Sequence, residues 1–310
     1  MYNAEIKERF LSEISENTAN SCKSMFDNTC GFEESYGKDL SSMSKGEFLS
    51  MSNNMEFYEL TTLDGFLTAQ RRYARWSVSK GFVSPDQSGI LQISTDDIDP
   101  SGAMSRMFFR DEQDFLYSMR KVADFEDLQN GVIAMCLGWL GLSARKSVAL
   151  RDGGVDLVSR TISDPSGTVI VNGFSDDIAR IFELYRATKT ATRQNGATPY
   201  TVIKDLSHDG FIKRVCSPNS ARLGDPVSER QIITYVSRMN QKYTALGYSP
   251  RFSMENANRC GGLYRLWKLE NDGIDVLNKQ NADIVEQVYG HGVYRKIAWQ
   301  YKFYKKAFNL

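Results

Sequence analysis

The chain has 310 residues, 41% hydrophobic and 25% charged, with 38 basic side chains against 38 acidic ones and a formal net charge of zero. That is an ordinary globular profile with room for two cores. It excludes an overall cationic field as the means of holding nucleic acid, so a DNA binder with this balance must segregate its charge.

Segregation is visible: residues 287–310 carry five basic side chains (Arg295, Lys296, Lys302, Lys305, Lys306) and no acidic one, whereas the first 50 residues hold nine acidic and five basic. The five cysteines (Cys22, Cys30, Cys136, Cys216, Cys260) are odd in number and far apart, with no C-x-x-C pair. Neither a zinc site nor a disulfide framework is indicated, which suits a reducing cytosol. No run approaches the ~18 apolar residues of a membrane span, and the first ten residues contain no signal-peptide apolar core. A cytoplasmic location is expected.

In chain order, the first ~80 residues read as all-helical. Ile6, Phe10 and Ile14 recur at helical spacing, and Thr18, Cys22, Met25, Phe26 and Phe32 mark a second helix. Ser44 followed by Glu47 is a capping signal before a short third helix. Thr61 or Thr62 caps a longer helix over 63–80, with Leu63, Phe66, Leu67, Tyr73 and Trp76 apolar and Gly81 as its stop. Its polar side displays Gln70, Arg71, Arg72 and Arg75.

Residues 82–102, with Pro85, Gly89, Pro100 and Gly102, read as an interdomain linker. Asp97, Asp99 and Ser101 resemble the start of a calcium loop, but Phe108 stands where the closing glutamate must be, so a turn or helix cap is predicted instead. A second domain begins near Arg106. Phe115, Met119 and Val122 mark one helix, and Leu128, Val132, Met135, Cys136 and Trp139 a buried one. After a turn through Gly138 and Gly141 comes a short helix ending near Leu150. Two strands, 155–162 and 168–171, are predicted across the Asp164-Pro165-Ser166-Gly167 turn. A helix follows over 176–186, then a polar, flexible stretch over 189–198. Helices are predicted over 227–243, 256–269, 274–288 and 294–308. No internal repeat, Walker loop, dinucleotide fingerprint or H-E-x-x-H pair is present, and no cofactor or metal is expected.

The C-terminal region reads Tyr289-Gly290-His291, then Trp299-Gln300-Tyr301. A Gly-His pair followed about nine residues later by a tyrosine resembles the end of the active site of tyrosine recombinases, the phage-integrase class. The resemblance extends over nearly the whole chain, as a helical bundle, a linker, and helices around a hairpin. It implies a mainly α fold with a small β-hairpin or sheet (α+β) in two domains: an N-terminal helical core-binding (SAM-like) bundle over 1–82, a linker over 83–102, and a catalytic-domain-like DNA-binding fold over 103–310. The stretch from Leu137 through Asp152 is similar to the family's first arginine segment. There the first catalytic arginine falls on Ser143 and the accompanying glutamate on Lys146, with Arg145 turned by about 200° from the arginine position. The family's His-x-x-Arg box falls on Asn256-Ala257-Asn258-Arg259. His291 matches, the nucleophile position falls on Gln300, and Tyr301 stands one residue late. The hairpin that carries the family's lysine offers Asp164-Pro165-Ser166-Gly167.

In such enzymes two arginines clamp the scissile phosphate and stabilise the growing charge, a His or Lys protonates the leaving oxygen, and the tyrosine attacks in line. Loss of one arginine costs on the order of 3 kcal/mol, or ~100-fold in rate. Arg259 and His291 can hold a phosphate without breaking it. This degenerate state, together with the opening Met1 to Phe10, the Tyr36-Gly37-Lys38-Asp39-Leu40 turn and Arg259 to Leu266 with Glu270, resembles the lytic-cycle repressors of SPβ-like Bacillus phages, the MrpR family. The resemblance implies a sequence-specific repressor of phage lytic genes that maintains lysogeny, is not an enzyme, and binds double-stranded operator DNA.

The expected DNA-facing residues are Arg71, Arg72, Arg75, Arg145, Lys146, Arg259, His291, Arg295, Lys296 and Tyr301, with Arg259, His291 and Tyr301 as remnants of a cutting site. For each there is a plainer reading: a solvated helix face for the basic residues, a core position for His291, and packing for Trp299 and Tyr301. The alternative function is a divergent but active recombinase using Tyr301. A protein-interaction module that has lost DNA binding is a third. A monomer or weak dimer off DNA is expected, with no membrane partner.

Overall fold

The computed structural model describes all residues except 58–59, 124–128, 196–197, 248–251 and 290–293, and the side chains of all but these and 123, 194–195, 286–287, 289 and 294–296. Two compact units are present, Met1–Arg106 together with Arg295–Leu310, and Met107–Tyr294.

In the first unit α1 (Ala4–Ser12), α2 (Glu16–Tyr36), α3 (Lys45–Asn53) and α4 (Leu60–Ser79) form the expected helical bundle. Each boundary has a local cause. Gly37 ends α2 at φ +62°, and Ser44 and Glu47 make the reciprocal cap of α3. The helix α4 starts ahead of the expected Thr61 or Thr62 cap, so both threonines lie inside it. Phe10, Phe26 and Tyr73 meet edge-to-face, with centroids 4.9–6.1 Å apart. Among these rings lies a fully buried ion pair: Lys7 Nζ donates to Glu33 Oε1 at 2.5 Å and sits 4.8 Å from the Phe26 centroid. Glu33 also accepts from the Leu40 N–H at 2.9 Å. Burial pushes the Glu33 carboxyl up to about 7, against the pull of the Lys7 ammonium.

The segment expected as a linker is part of this core. It folds as three single-turn helices, Pro85–Gln87, Gly89–Gln92 and Thr95–Asp97, and Ile90, Ile93 and Ile98 are buried in the bundle. Gly89 is needed at its contact, because a β-carbon there would come within 2.7 Å of Lys45 Cα. The Pro and Gly residues that suggested a linker are turn punctuation between apolar anchors. Asp97 and Asp99 act as caps: Asp97 accepts from Ser94 N and Oγ, and Asp99 from Ser101 N and Oγ at the start of α5 (Ser101–Met107).

In the second unit α6 (Glu112–Ala123), α7 (Gln129–Trp139) and α8 (Ala144–Ala149) precede a three-stranded antiparallel sheet, β1 (Val155–Asp156), β2 (Thr161–Ser163) and β3 (Val169–Asn172). The single strand expected over 155–162 is broken, because Asp156 Oδ1 accepts from Val158 N and Ser159 N and Arg160 adopts φ +55°. The 164–167 turn forms as expected, with Asp164 Oδ1 accepting from Ser166 N and Thr168 N. After α9 (Asp176–Ala187), the stretch expected to be flexible is instead a hairpin, β4 (Thr190–Asn195) with β5 (Thr198–Lys204), which β6 (Val215–Cys216) extends. Threonines at 190, 192, 198 and 201 favour strand. Few of its side chains are apolar, which hid it.

Helices α10 (Glu229–Ala245), α11 (Met254–Asn271) and α12 (Ala282–Tyr289) follow. Residues 274–281, predicted as helix, are turns closed by Asp275 and Asn278 before α12. Every residue of α7 from Asn130 to Trp139 is buried, so this helix is the hub of the unit and is apolar all round. Among the described residues, no helix is long and apolar enough to cross a membrane.

The last helix, α13 (Tyr294–Phe308), belongs almost wholly to the first unit rather than to the span 103–310 in which the sequence grouped it. Trp299 packs on the bundle core, and Lys306 Nζ bonds Asp99 Oδ2 at 2.5 Å.

Candidate nucleic-acid interface

In the second unit the recombinase-like positions occupy the ends of α7 and α11. The helix α7 closes on Gly141 at φ +99°, with Leu142 N–H bonding Leu137 O at 3.0 Å. Ser143, which the resemblance sets at the first arginine position, caps α8: its Oγ accepts from Lys146 N at 3.3 Å. Arg145 and Lys146 are both exposed on the first turn of α8. Asn256, which the resemblance sets at the histidine position, is turned inward. It is 7% exposed, and its amide nitrogen donates to Met107 O at 2.9 Å. Arg259, one turn later, keeps 12% of its side chain exposed and pairs with Glu255 Oε1 at 3.1 Å. A phosphate reaching this guanidinium competes with the Glu255 carboxylate, which is itself 80% exposed, so the pair is largely screened by solvent.

Five residues with structural roles carry no signal in the sequence. Arg265 Nη1 donates to Trp139 O at 2.6 Å, binding α11 to the end of α7. Asn130, Tyr185 and Lys213 form a closed set, in which Tyr185 Oη donates to Asn130 Oδ1 and accepts from Lys213 N, both at 2.8 Å, and Asn130 Nδ2 donates to Lys213 O at 2.8 Å. Beside it, Lys204 Nζ donates to Tyr185 O at 2.6 Å and lies 3.6 Å from the Tyr185 ring centroid. Burial lowers the Lys204 amine to about 7. No local sequence signal marks any of these, because each partner is distant along the chain.

In the first unit, α4 carries the expected basic face, but its three arginines differ. Arg71 is half-buried and its guanidinium donates to Ile93 O, so it fastens the 85–98 turns and is spent on the fold. Arg72 and Arg75 are exposed, on a helix face shared with Gly65, Thr68 and Ser79, all exposed as well. On α13, Gln300 is 2% exposed and Tyr301 is fully buried. The Tyr301 ring stacks on Tyr304 at 6.4 Å, with Lys305 Nζ 5.2 Å from its centroid. A phenol in this position does not meet solvent, which corrects its assignment as a DNA-facing group. His291 lies outside the described residues, as do the side chains of Arg295 and Lys296. The predicted residues thus do not form one cluster: Arg145, Lys146 and Arg259 are in the second unit, and Arg71, Arg72, Arg75 and Tyr301 in the first.

Among curated proteins none matches the chain in sequence. Solved structures similar to it include XerA recombinase, 12% identical over 96% of this chain and 92% of that one, with a TM-score of 0.39. Another is a lambda integrase (residues 75–356) dimer bound to a COC′ core site, 12% identical over 97% and 95%, with a TM-score of 0.37. A third is the Tn1549 transposon integrase in complex with a circular intermediate DNA, 11% identical over 96% and 93%, with a TM-score of 0.39. Residues 1–79, the segment that builds α1 to α4, match the family model of the MrpR N-terminal core-binding domain.

Proposed function

We propose that the chain is a sequence-specific, double-stranded-DNA-binding repressor of phage lytic genes, built on a tyrosine-recombinase frame that does not cleave its target. The observation that carries this reading is that three positions of the cutting site have other work. Ser143 caps α8, Asn256 holds Met107 O, and Tyr301 is buried in the first unit. A core-binding domain at residues 1–79 supports DNA as the partner. So do the exposed guanidinia of Arg72 and Arg75, which make no ion pair among the described residues. In this reading Arg72 and Arg75 on α4, with Arg145 and Lys146 on α8, supply phosphate contacts. Arg259 gives a further contact once Glu255 is displaced, and His291, Arg295 and Lys296 extend the set.

Genomic footprinting of the wild type beside an Arg72→Ala/Arg75→Ala variant tests it. Discrete protected sites are expected in phage DNA. The variant should bind them more weakly, with the slope of log K against log salt reduced by about two. Absence of protected sites for the wild type refutes DNA recognition. A covalent tyrosyl-DNA adduct on a nicked suicide duplex refutes the non-cleaving part.

A further inference from the structure

The second unit contains a cavity of about 330 Å³ between α6, α7 and α9, within the size range of small-molecule sites. Its floor is apolar and buried: Met119, Val132 and Ile133 are all at most 3% exposed. One wall is Leu184, a large apolar side chain left 64% exposed. Into this lining projects the carboxamide of Gln129. Its nitrogen donates to Thr188 Oγ1 at 3.4 Å, while its oxygen is buried and has no hydrogen-bond partner among the described residues. A buried acceptor without a donor is unfavourable, so a ligand that brings an N–H or O–H to it gains by filling the cavity.

The rim adds charge. Arg120 Nη2 pairs with Asp177 Oδ1 at 3.3 Å, linking α6 to α9. Arg180, one turn beyond Asp177, is exposed and makes no ion pair among the described residues. Two guanidinia against one carboxylate leave the rim with one surplus positive charge.

We infer that this cavity is a ligand site for a small amphiphilic carboxylate: an apolar body against Met119, Val132, Ile133 and Leu184, one amide or hydroxyl hydrogen on Gln129 Oε1, and the carboxylate at Arg180. N-acyl amino acids and the C-terminal end of a short apolar peptide share this chemistry. The site lies apart from Arg145, Lys146 and Arg259, and the inference stands whether or not the protein binds DNA.

Isothermal titration calorimetry of the full chain tests it with N-decanoylglycine, its methyl ester, and an N-acetylated apolar tripeptide with a free C-terminus. At least one of the two carboxylates is expected to bind with unit stoichiometry, and whichever is tighter identifies the source. The methyl ester should bind at least about tenfold weaker, the equivalent of one lost charged contact. Arg180→Gln and Leu184→Asp change exposed side chains, so both variants keep the fold, and each should weaken binding about tenfold or more. No saturable binding of either carboxylate up to about 1 mM, equal binding of the ester, or binding untouched by both substitutions would each overturn the assignment.

Discussion

Replacing Gly261 by alanine tests the packing that sets the second unit. Gly261 lies where α11 crosses the end of α7, and an added β-carbon would stand 2.0 Å from the carbonyl oxygen of Trp139 and 2.8 Å from its carbonyl carbon. Non-bonded heavy atoms are comfortable only beyond about 3 Å, so α11 has to retreat by roughly 1 Å or more. The obstacle is helix backbone, which cannot turn aside as a side chain would. Retreat also stretches the 2.6 Å bond from Arg265 Nη1 to the same carbonyl oxygen. Overpacking of this kind costs about 1–3 kcal/mol, occasionally more, against the ~0.5–1 kcal/mol that alanine gains over glycine inside a helix. A net loss of about 2 kcal/mol is expected. Gly65 on α4 is the control: a β-carbon there meets nothing within 4 Å, so Gly65→Ala should stabilise the first unit by about 0.5–1 kcal/mol. Hydrogen-exchange mass spectrometry reads the two units separately. Faster exchange in α7 and α11 of Gly261→Ala, with slower or unchanged exchange in α4 of Gly65→Ala, is the expected pattern. Exchange in Gly261→Ala equal to the wild type would refute the argument that close approach of α7 and α11 requires glycine.

The buried Lys7–Glu33 pair should behave as a unit: Lys7→Met or Glu33→Gln alone is expected to cost about 3–5 kcal/mol, and Lys7→Met with Glu33→Leu far less than the sum; additive losses in urea unfolding would disprove the coupling. Lys204 makes stability depend on pH. Its amine is lowered from 10.5 to about 7, so between those values the unfolded chain holds a proton that the native chain lacks, and stability rises with pH across the window. Below about 7 both states are protonated and the burial penalty is full. Lys204→Met should therefore stabilise most near pH 6 and least near pH 10, and a gap constant across unfolding midpoints at pH 6, 8 and 10 would exclude burial of this amine as the cause. Ser143→Arg with Asn256→His and Gln300→Tyr restores the letters of the cutting site but removes a helix cap worth about 1 kcal/mol and the bond to Met107 O. The triple variant should be less stable than the wild type and form no adduct on a suicide duplex; an adduct would show that the frame is still competent.

Fold class was legible because the long helices carry their own period. The helices α2, α4, α10 and α11 are amphipathic or capped in ways that single residues reveal, such as Ser44 with Glu47 at α3. What failed to show depends on distant partners. Ile90, Ile93 and Ile98 stand at spacings of three and five, which sustains neither a helix nor a strand pattern, yet all three are buried in the core of α1 to α4, so a segment with linker composition is core. Apart from Lys204, the β4–β5 hairpin buries little beyond Ala191 and Val202, and hydrophobic alternation cannot announce a ribbon that is mostly exposed. Its threonines could have.

The candidate site divides along the same line. Ser143 and Asn256 were recognisable as departures from a catalytic pattern, but their replacements are explained only by contacts: a cap to Lys146 N and a bond to a carbonyl 149 residues away in sequence. For Tyr301 the decisive signal was present and outweighed. Ile297, Tyr301, Tyr304 and Phe308 recur at spacings of four, three and four, the stripe of a helix with one buried face, and Lys302, Lys305 and Lys306 interleave with them. Read by period, Tyr301 belongs with the core tyrosine three residues on; read by likeness to Gly-His…Tyr, it belongs with a phosphate. A side chain on that stripe gains by burial whatever its ancestry, on the order of 2 kcal/mol for a large ring. A nucleophile held there would have to forfeit that energy at every encounter with DNA. Where chemical likeness and helical period disagree on one residue, the period has a free energy behind it, and in α13 the two disagree at Tyr301.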